Sequence, residues 1–146
     1  MGTTGELTVE IVTQSGVEYQ GPVDGVVAPG TRGYLGVRIG HAPLLSSLST
    51  GLVTLHCADG DTFIAVTGGM MEVFDNRVTV LADAAERAAE IDIGRARRAM
   101  QRAKERLAAA YTPDGRREVD PERARMALAR ALNRLHTAEK AGLLGS

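Results

Sequence analysis

The sequence predicts an N-terminal antiparallel β-sandwich of about ten strands, followed by a C-terminal antiparallel two-helix hairpin. Residues 1–82 hold 13 of the 17 glycines and alternate short apolar segments with turn signals, a pattern typical of sandwiches and barrels. From residue 83 the composition changes to Ala, Arg and Glu with helical periodicity. The charge changes there too, from three basic and eight acidic residues to 14 basic and ten acidic residues. We therefore predict a sandwich domain at residues 1–84 and a helical domain at residues 85–146.

The strands of the first domain can be followed by their alternating apolar residues. The segment LTVEIVT places Leu7, Val9 and Ile11 on one face of a strand, because successive side chains of a strand point to opposite faces. Further strand-like segments follow along the chain: GVEYQGPVDGVVAPG, GLVTLHC, DTFIAVTGG, MMEVF and RVTVLAD. The predicted turns between the later strands are Asp59-Gly60, Gly68-Gly69 and Asp75-Asn76.

Two helices are predicted after the sandwich. Asp92 is a suitable N-cap for a first helix of about 17 residues, and Asp120-Pro121 begins a second helix with a cap and a first-position proline. Each apolar stripe alternates small and long side chains: Ala96, Met100, Ala103 and Leu107, then Ala124, Leu128, Ala131 and Leu135. Small residues let the helices approach closely. Because an alanine-rich seam buries little apolar area, we expect the hairpin to be only marginally stable.

Catalytic and metal sites are not indicated by the sequence. There is one cysteine, Cys57, and the three histidines share no metal-ligand spacing. No nucleophile stands beside a basic partner in a known motif. We therefore expect a chain without enzymatic activity, metal or required cofactor. The chain also lacks an apolar run long enough to span a membrane and a signal-peptide core, which predicts a cytosolic protein.

The segment GHAPLL is the first candidate for a contact surface. It contains His41, Pro43, Leu44 and Leu45. His41 is either a packed loop histidine or a residue that contacts another protein. Leucines in a proline-containing loop are easiest to explain if another chain covers them.

Arginines form two ridges on the predicted helices, and they are the second candidate. Steps of three, four and seven residues bring them to one side of each helix: Arg95, Arg98, Arg102 and Arg106, then Arg123, Arg130 and Arg134. Like charges at this spacing repel each other. The ridges are therefore either a solvated basic face or a site for an anion such as a polyphosphate. Nucleic acid is disfavoured as that anion, because no stacking aromatic residues stand between the arginines.

Two long segments resemble the epsilon subunit of bacterial F-type ATP synthases. They are VVAPGTRGYLGVRIGHAPLLSSLSTG and AVTGGMMEVFDNRVTVLADAAERAAEID. The resemblance implies a ten-stranded sandwich, a two-helix hairpin and a non-catalytic chain. It further implies a place at the foot of the central rotor, joining the gamma subunit to the membrane c-subunit ring at the cytoplasmic face of the bacterial plasma membrane. An extended hairpin would reach the alpha/beta catalytic head and block ATP hydrolysis.

The resemblance also implies a regulatory ATP site. Some members bind ATP through an Ile-Asp-x-x-Arg-Ala motif, and the corresponding residues here are Ile91, Asp92, Arg95 and Ala96. The other matching positions are Glu86, Arg102, Arg123, Arg130 and Arg134. Two positions depart from the family pattern: Tyr34 replaces an acidic residue associated with ring contact, and Ile39 replaces a proline.

One alternative of a different class is compatible with the residues. The chain could be a stand-alone module that binds a small anion or nucleic acid, with the helical hairpin as a dimerisation element. Co-purification with a gamma-like chain would favour the rotor subunit. Salt-dependent binding to nucleic acid without such a chain would favour the stand-alone module.

Overall fold

The computed structural model describes residues 5–113 and 119–144. Within these residues a β domain precedes two helices. The strands are β1 (Leu7–Thr13), β2 (Gly16–Val23), β3 (Gly25–Gly30), β4 (Gly33–Val37), β5 (Leu44–Cys57), β6 (Gly60–Phe74), β7 (Arg77–Ala82) and β8 (Ala85–Arg87). A 3₁₀ turn at Ala88–Glu90 leads to α1 (Ile93–Ala110), and α2 is Pro121–Lys140.

The strands form two layers because the long strands β5 and β6 belong to both. One layer contains β2, β1 and β7 together with the second half of β6 and the first half of β5. The other contains β4 and β3 with the second half of β5, the first half of β6 and β8. Counting β5 and β6 in each layer gives five strands per layer. The predicted sandwich is thus confirmed, built from eight strands in the described residues.

Two details of the predicted strands differ from the structure. β1 pairs with β7 in parallel, so the sandwich is not wholly antiparallel. Gly68 and Gly69 lie inside β6 rather than at a turn between two strands. Their φ angles are 77° and 127°, a backbone that glycine adopts without penalty. They bend β6 where it passes from one layer to the other, as bulges do at the corners of sandwiches.

The core lies between the two layers and takes side chains from both. The largest fully buried residues include Ile11 of β1, Leu55 of β5, and Ile64 and Met71 of β6. Ile64 and Met71 stand on opposite sides of the glycine bend, yet both belong to the same buried cluster. The bend therefore lets a single strand contribute to the core from both layers.

The helical hairpin agrees closely with its predicted bounds. Asp92 caps α1, since its carboxylate accepts a hydrogen bond of 3.0 Å from the amide of Arg95. Asp120 caps α2 in the same way through the amides of Glu122 and Arg123. Residues 114–118 of the connection between the helices lie outside the described residues.

Alanines at seven-residue intervals form the buried seam of the hairpin. They are Ala96, Ala103 and Ala110 in α1, and Ala124, Ala131 and Ala138 in α2. The longer residues of the predicted stripes, such as Met100 and Leu128, are only half-buried. The two helices thus pack through small side chains that let their backbones lie close together. Such a seam removes little apolar area from water.

Candidate functional site

A cleft of about 750 Å³ lies between α1 and α2 and is lined by arginines. They are Arg102, Arg106, Arg123, Arg130 and Arg134. The one acidic residue in the lining is Asp120, whose carboxylate already accepts hydrogen bonds from the first turn of α2. The cleft therefore concentrates positive charge, and guanidinium groups suit phosphate or carboxylate oxygens.

Arg134 connects this cleft to the sandwich. Its Nε donates to Oε1 of Glu86 at 2.8 Å, and both side chains are partly exposed. A smaller cleft of about 170 Å³ contains Glu86, Arg130 and Arg134 together with Asn133. Arg130 and Arg134 line both clefts, so the two spaces meet at these side chains. Within the described residues, Arg130 makes no ion pair and remains available to an anion.

The sequence motif at the start of α1 has structural roles in this conformation. Ile91 and Ala96 are buried, and Asp92 is the N-cap. Arg95 is exposed and does not belong to the described lining of the arginine cleft. Of the predicted nucleotide-binding residues, the structure brings together Glu86, Arg102, Arg123, Arg130 and Arg134.

Two residues near the clefts are not among those that the resemblance implies for the nucleotide site. Arg106 was predicted as part of the arginine ridge, and it lines the cleft beside Arg102. Asn133 gave no such signal. Its Nδ2 donates to the carbonyl oxygens of Gly51 at 2.8 Å and Val66 at 3.4 Å, and these acceptors lie 82 and 67 positions away in the chain. This side chain fastens α2 to β5 and β6.

Arg87 holds the segment between the sandwich and α1 in place. Its Nε and Nη2 donate to the carbonyl oxygen of Glu18 at 3.1 and 2.7 Å, and its guanidinium lies 5.2 Å from the centre of the Tyr19 ring.

Burial raises the pKa of Glu18 above 4.5, and the neighbouring Glu90 carboxyl raises it further. The folded state therefore holds this proton more tightly. The contribution of Glu18 to the stability of the folded state is therefore greatest below pH 4.5, and it is lost as the pH rises through the raised pKa.

Tyr34, Leu44 and Leu45 line a groove of about 400 Å³ beside the turn between β3 and β4. Tyr34 is 60% exposed and Leu45 is 68% exposed. Leu44 is half-buried and packs against the core. Both leucines begin β5, so the prediction that they lie in a loop is wrong. The β pairing with Val73 and Glu72 of β6 extends the strand up to Leu44.

His41 belongs to a different cleft from the Tyr34 groove. It lies in a space of about 450 Å³ with Ile39 and His56, and its Nδ1 is 2.7 Å from the carbonyl oxygen of Ala42. Pro43 is exposed and belongs to the described lining of neither space. The predicted interface residues therefore cover two neighbouring surfaces. Whether another chain covers them stays a prediction.

The outer face of the sandwich carries further exposed apolar side chains. Met70 and Leu81 are directly opposite each other on β6 and β7, and Phe74 is 61% exposed on the same face as Met70. Leu45 of β5 also points to this face, since Leu44 beside it turns towards the core. These four residues, Leu45, Met70, Phe74 and Leu81, are called the outer apolar face below.

The described part of the chain offers neither a metal site nor a membrane-spanning helix. No group of three histidine, cysteine or acidic side chains is placed to hold a metal ion in that part of the chain. Neither described helix has the length and hydropathy needed to cross a membrane.

Comparison with known proteins places both halves of the chain in one family. Residues 6–88 match the family model for the β-sandwich domain of the ATP synthase delta/epsilon chain. Residues 89–139 match the model for the long α-helix domain of the same chain. The chain belongs to this family. The two matches meet one residue after β8, which shows that β8 is part of the sandwich portion of the family architecture.

Individual relatives have the same family assignment. The chain is 54% identical over 101 residues to the ATP synthase epsilon chain of Pelotomaculum thermopropionicum, covering 68% of this chain and 75% of that relative. The ATP synthase epsilon chain of Salinibacter ruber is 46% identical over 111 residues, covering 70% of this chain and 74% of the relative.

Solved structures show the same fold at lower identity. A chain of the Euglena gracilis mitochondrial ATP synthase matches with a TM-score of 0.76 and 21% identity, covering 98% of this chain and 84% of that chain. A chain of the Tetrahymena thermophila mitochondrial ATP synthase matches with a TM-score of 0.52 and 17% identity, covering 94% and 98%. The sandwich followed by two helices is thus an established architecture.

Proposed function

We propose that this chain is a non-catalytic central-stalk subunit of a proton-translocating F-type ATP synthase. In this role the sandwich joins the gamma subunit to the membrane c-subunit ring, on the cytoplasmic face of the bacterial plasma membrane. The hairpin regulates ATP hydrolysis by leaving the sandwich and extending towards the alpha/beta catalytic head. The observation that carries the proposal is the end-to-end match of the two family domains over residues 6–139.

The surface of the sandwich supports a role in assembly. The outer apolar face and the groove at Tyr34 lie on a domain whose polar charge is mainly acidic. Exposed apolar clusters of this kind usually mark protein–protein contacts. Partner subunits of a rotor would cover them permanently and so remove these apolar side chains from water.

The hairpin supports a role as a mobile element. It is held on the sandwich by a small number of polar contacts, chiefly those of Asn133 and Arg134, and its own seam is made of alanine. A docked state held by few polar contacts can be in balance with an undocked one. ATP bound between the arginines would add contacts available only when both helices lie together, and would thereby stabilise the docked state.

Replacing Leu45 with serine is expected to weaken assembly without unfolding the chain. Leu45 is exposed, so its replacement removes apolar contact area from the partner surface and none from the core. Co-purification with the gamma subunit measures the effect. Leu132→Ser is the matched control, since Leu132 is an exposed leucine of α2, 45% exposed. Unchanged assembly of Leu45→Ser would show that the partner does not contact this part of the sandwich.

Ending the chain after Glu90 tests the regulatory role of the hairpin. The sandwich and β8 stay intact in this truncation, so the assembled complex should keep ATP synthesis. Hydrolysis by the complex should rise, because the inhibitory hairpin is gone. An assembled complex with unchanged hydrolysis would show that the hairpin does not inhibit. A truncated chain that no longer joins the gamma subunit would instead contradict the proposed role of the sandwich.

A further inference from the structure

One peptide group of β5 is hydrogen-bonded at both ends by side chains of other elements. The carbonyl oxygen of Gly51 accepts from Nδ2 of Asn133 in α2 at 2.8 Å. The amide of the next residue, Leu52, donates to the hydroxyl of Tyr34 in β4 at 3.2 Å. The carbonyl and the amide belong to the same planar peptide unit. A rotation of that unit therefore changes both hydrogen bonds together.

The local strand pairing explains why the Leu52 amide bonds to a side chain, while Gly51 itself stays paired with Val66 of β6. β3 and β5 pair in register up to Val27, and the register shifts before Gly30. The interruption lies beside Gly51, where Pro29 of β3 has no amide hydrogen to offer a ladder. The peptide is also closely covered. A Cβ on Gly51 would lie 2.5 Å from Cβ of Pro29 and 2.9 Å from the Tyr34 hydroxyl.

We infer that Tyr34 is a positioning residue for docking of the hairpin, acting through the Gly51–Leu52 peptide. The phenol hydroxyl and the pairing of Gly51 with Val66 together fix the orientation of the peptide, and this orientation presents the Gly51 carbonyl to Asn133. Consecutive hydrogen bonds through one peptide also polarise each other. Tyr34 in the groove and Asn133 on α2 are thus energetically coupled.

The coupling has a consequence for the assembled rotor, and this step rests on the proposed function. The ring of Tyr34 is 60% exposed and lines the groove with Leu45, so a rotor subunit seated there would contact it. A contact that moves the ring alters the affinity of the sandwich for the hairpin. By reciprocity, the docked hairpin alters the affinity of the groove for that subunit by the same factor.

The test uses the full isolated chain and the variant Tyr34→Phe, which removes the hydroxyl and keeps the ring. Spin labels on cysteines introduced at the exposed Gln14 and Gln101, in a Cys57→Ser background, report the docked fraction. The docking equilibrium constant should fall about two- to fivefold. Tyr111→Phe is the matched control. Tyr111 is 61% exposed, and its hydroxyl contacts Arg125 in the hairpin.

A double-mutant cycle separates positioning from a general loss of stability. Tyr34→Phe should have little effect on docking when Asn133 is already alanine, because the Gly51 carbonyl then has no hydrogen bond to α2 that the Tyr34 hydroxyl could influence. The inference would be overturned if Tyr34→Phe had no effect on docking in the chain that keeps Asn133. It would also be overturned if the effect were equal with Asn133 and with alanine at that position. In the reverse direction, Asn133→Ala should change the chemical shift of the Leu52 amide in nuclear magnetic resonance spectra and increase the rate of its hydrogen exchange. An unmoved Leu52 amide would also overturn it. Neither result depends on binding to the gamma subunit, so the rotor assignment is tested separately.

Discussion

Replacing Gly69 with alanine is expected to lower the free energy of unfolding of the sandwich by about 2–6 kcal/mol. Two costs combine. The φ angle of Gly69 is 127°, which residues with a Cβ rarely adopt. The added Cβ would also overlap the carbonyl oxygen of Leu81 and lie 2.8 Å from Cα of Ala82. Both obstacles are backbone atoms of β7, so β6 or β7 must move.

Denaturant unfolding of the full chain measures this change, and Gly36→Ala is the matched control. An added Cβ at Gly36 meets no heavy atom within 4 Å among the described residues, and its φ is not in the left-handed region. We expect the control to change stability by less than about 1 kcal/mol. Similar losses in the two variants would mean that the bend in β6 is not a constrained position.

Replacing Arg130 with alanine is expected to weaken binding of ATP about 10- to 150-fold, which corresponds to the loss of one hydrogen bond to a charged group. Arg130 lines both clefts and has no ion-pair partner among the described residues. A phosphate would therefore gain this guanidinium without displacing another carboxylate. Without ligand, removal of Arg130 relieves repulsion from Arg134, so the empty hairpin should not be destabilised.

Titration calorimetry with ATP measures the affinity, and Arg125→Ala is the matched control. Arg125 lies on α2 and loses the same charge, but its guanidinium contacts Glu122 and the Tyr111 hydroxyl, each at 3.0 Å. It does not belong to the described lining of either cleft. Equal losses of affinity in both variants would indicate general attraction by net charge. No loss in Arg130→Ala would exclude the arginine cleft as the phosphate site.

Local signals in the sequence predicted the helical half of the fold well. Asp92 and Asp120 cap the helices through amides two or three residues away, and such short-range chemistry is visible in the sequence. The arginine cleft was predictable for the same reason, since helical spacing sets which residues share a side. Arg95 was the exception. Its ridge was recognised, but the cleft does not extend to the first turn of α1 in the described structure.

Long-range geometry accounts for what the sequence did not predict. Gly68-Gly69 resembles a turn because two adjacent glycines usually end a strand, yet here the β5 pairing continues on both sides of them. Asn133 resembles any polar residue of a helix surface. Its role depends on the carbonyl groups of Gly51 and Val66, which are paired with each other on the distant strands β5 and β6. The division between residues that face a partner and residues that face the core, as for Leu44 and Leu45, also required the structure.

The regular alanine spacing in the hairpin does not by itself select one alignment of the two helices. A slip of seven residues moves one helix about 10.5 Å along the other and still sets alanine against alanine at most levels of the seam. Long apolar knobs, which normally forbid such a slip, are absent from the buried positions of the described helices. The register must therefore be chosen from outside the seam. Asn133 and the Arg134–Glu86 pair fix α2 against the sandwich, and the Arg125–Tyr111 hydrogen bond joins the two helices. A hairpin that leaves the sandwich keeps only the last of these contacts.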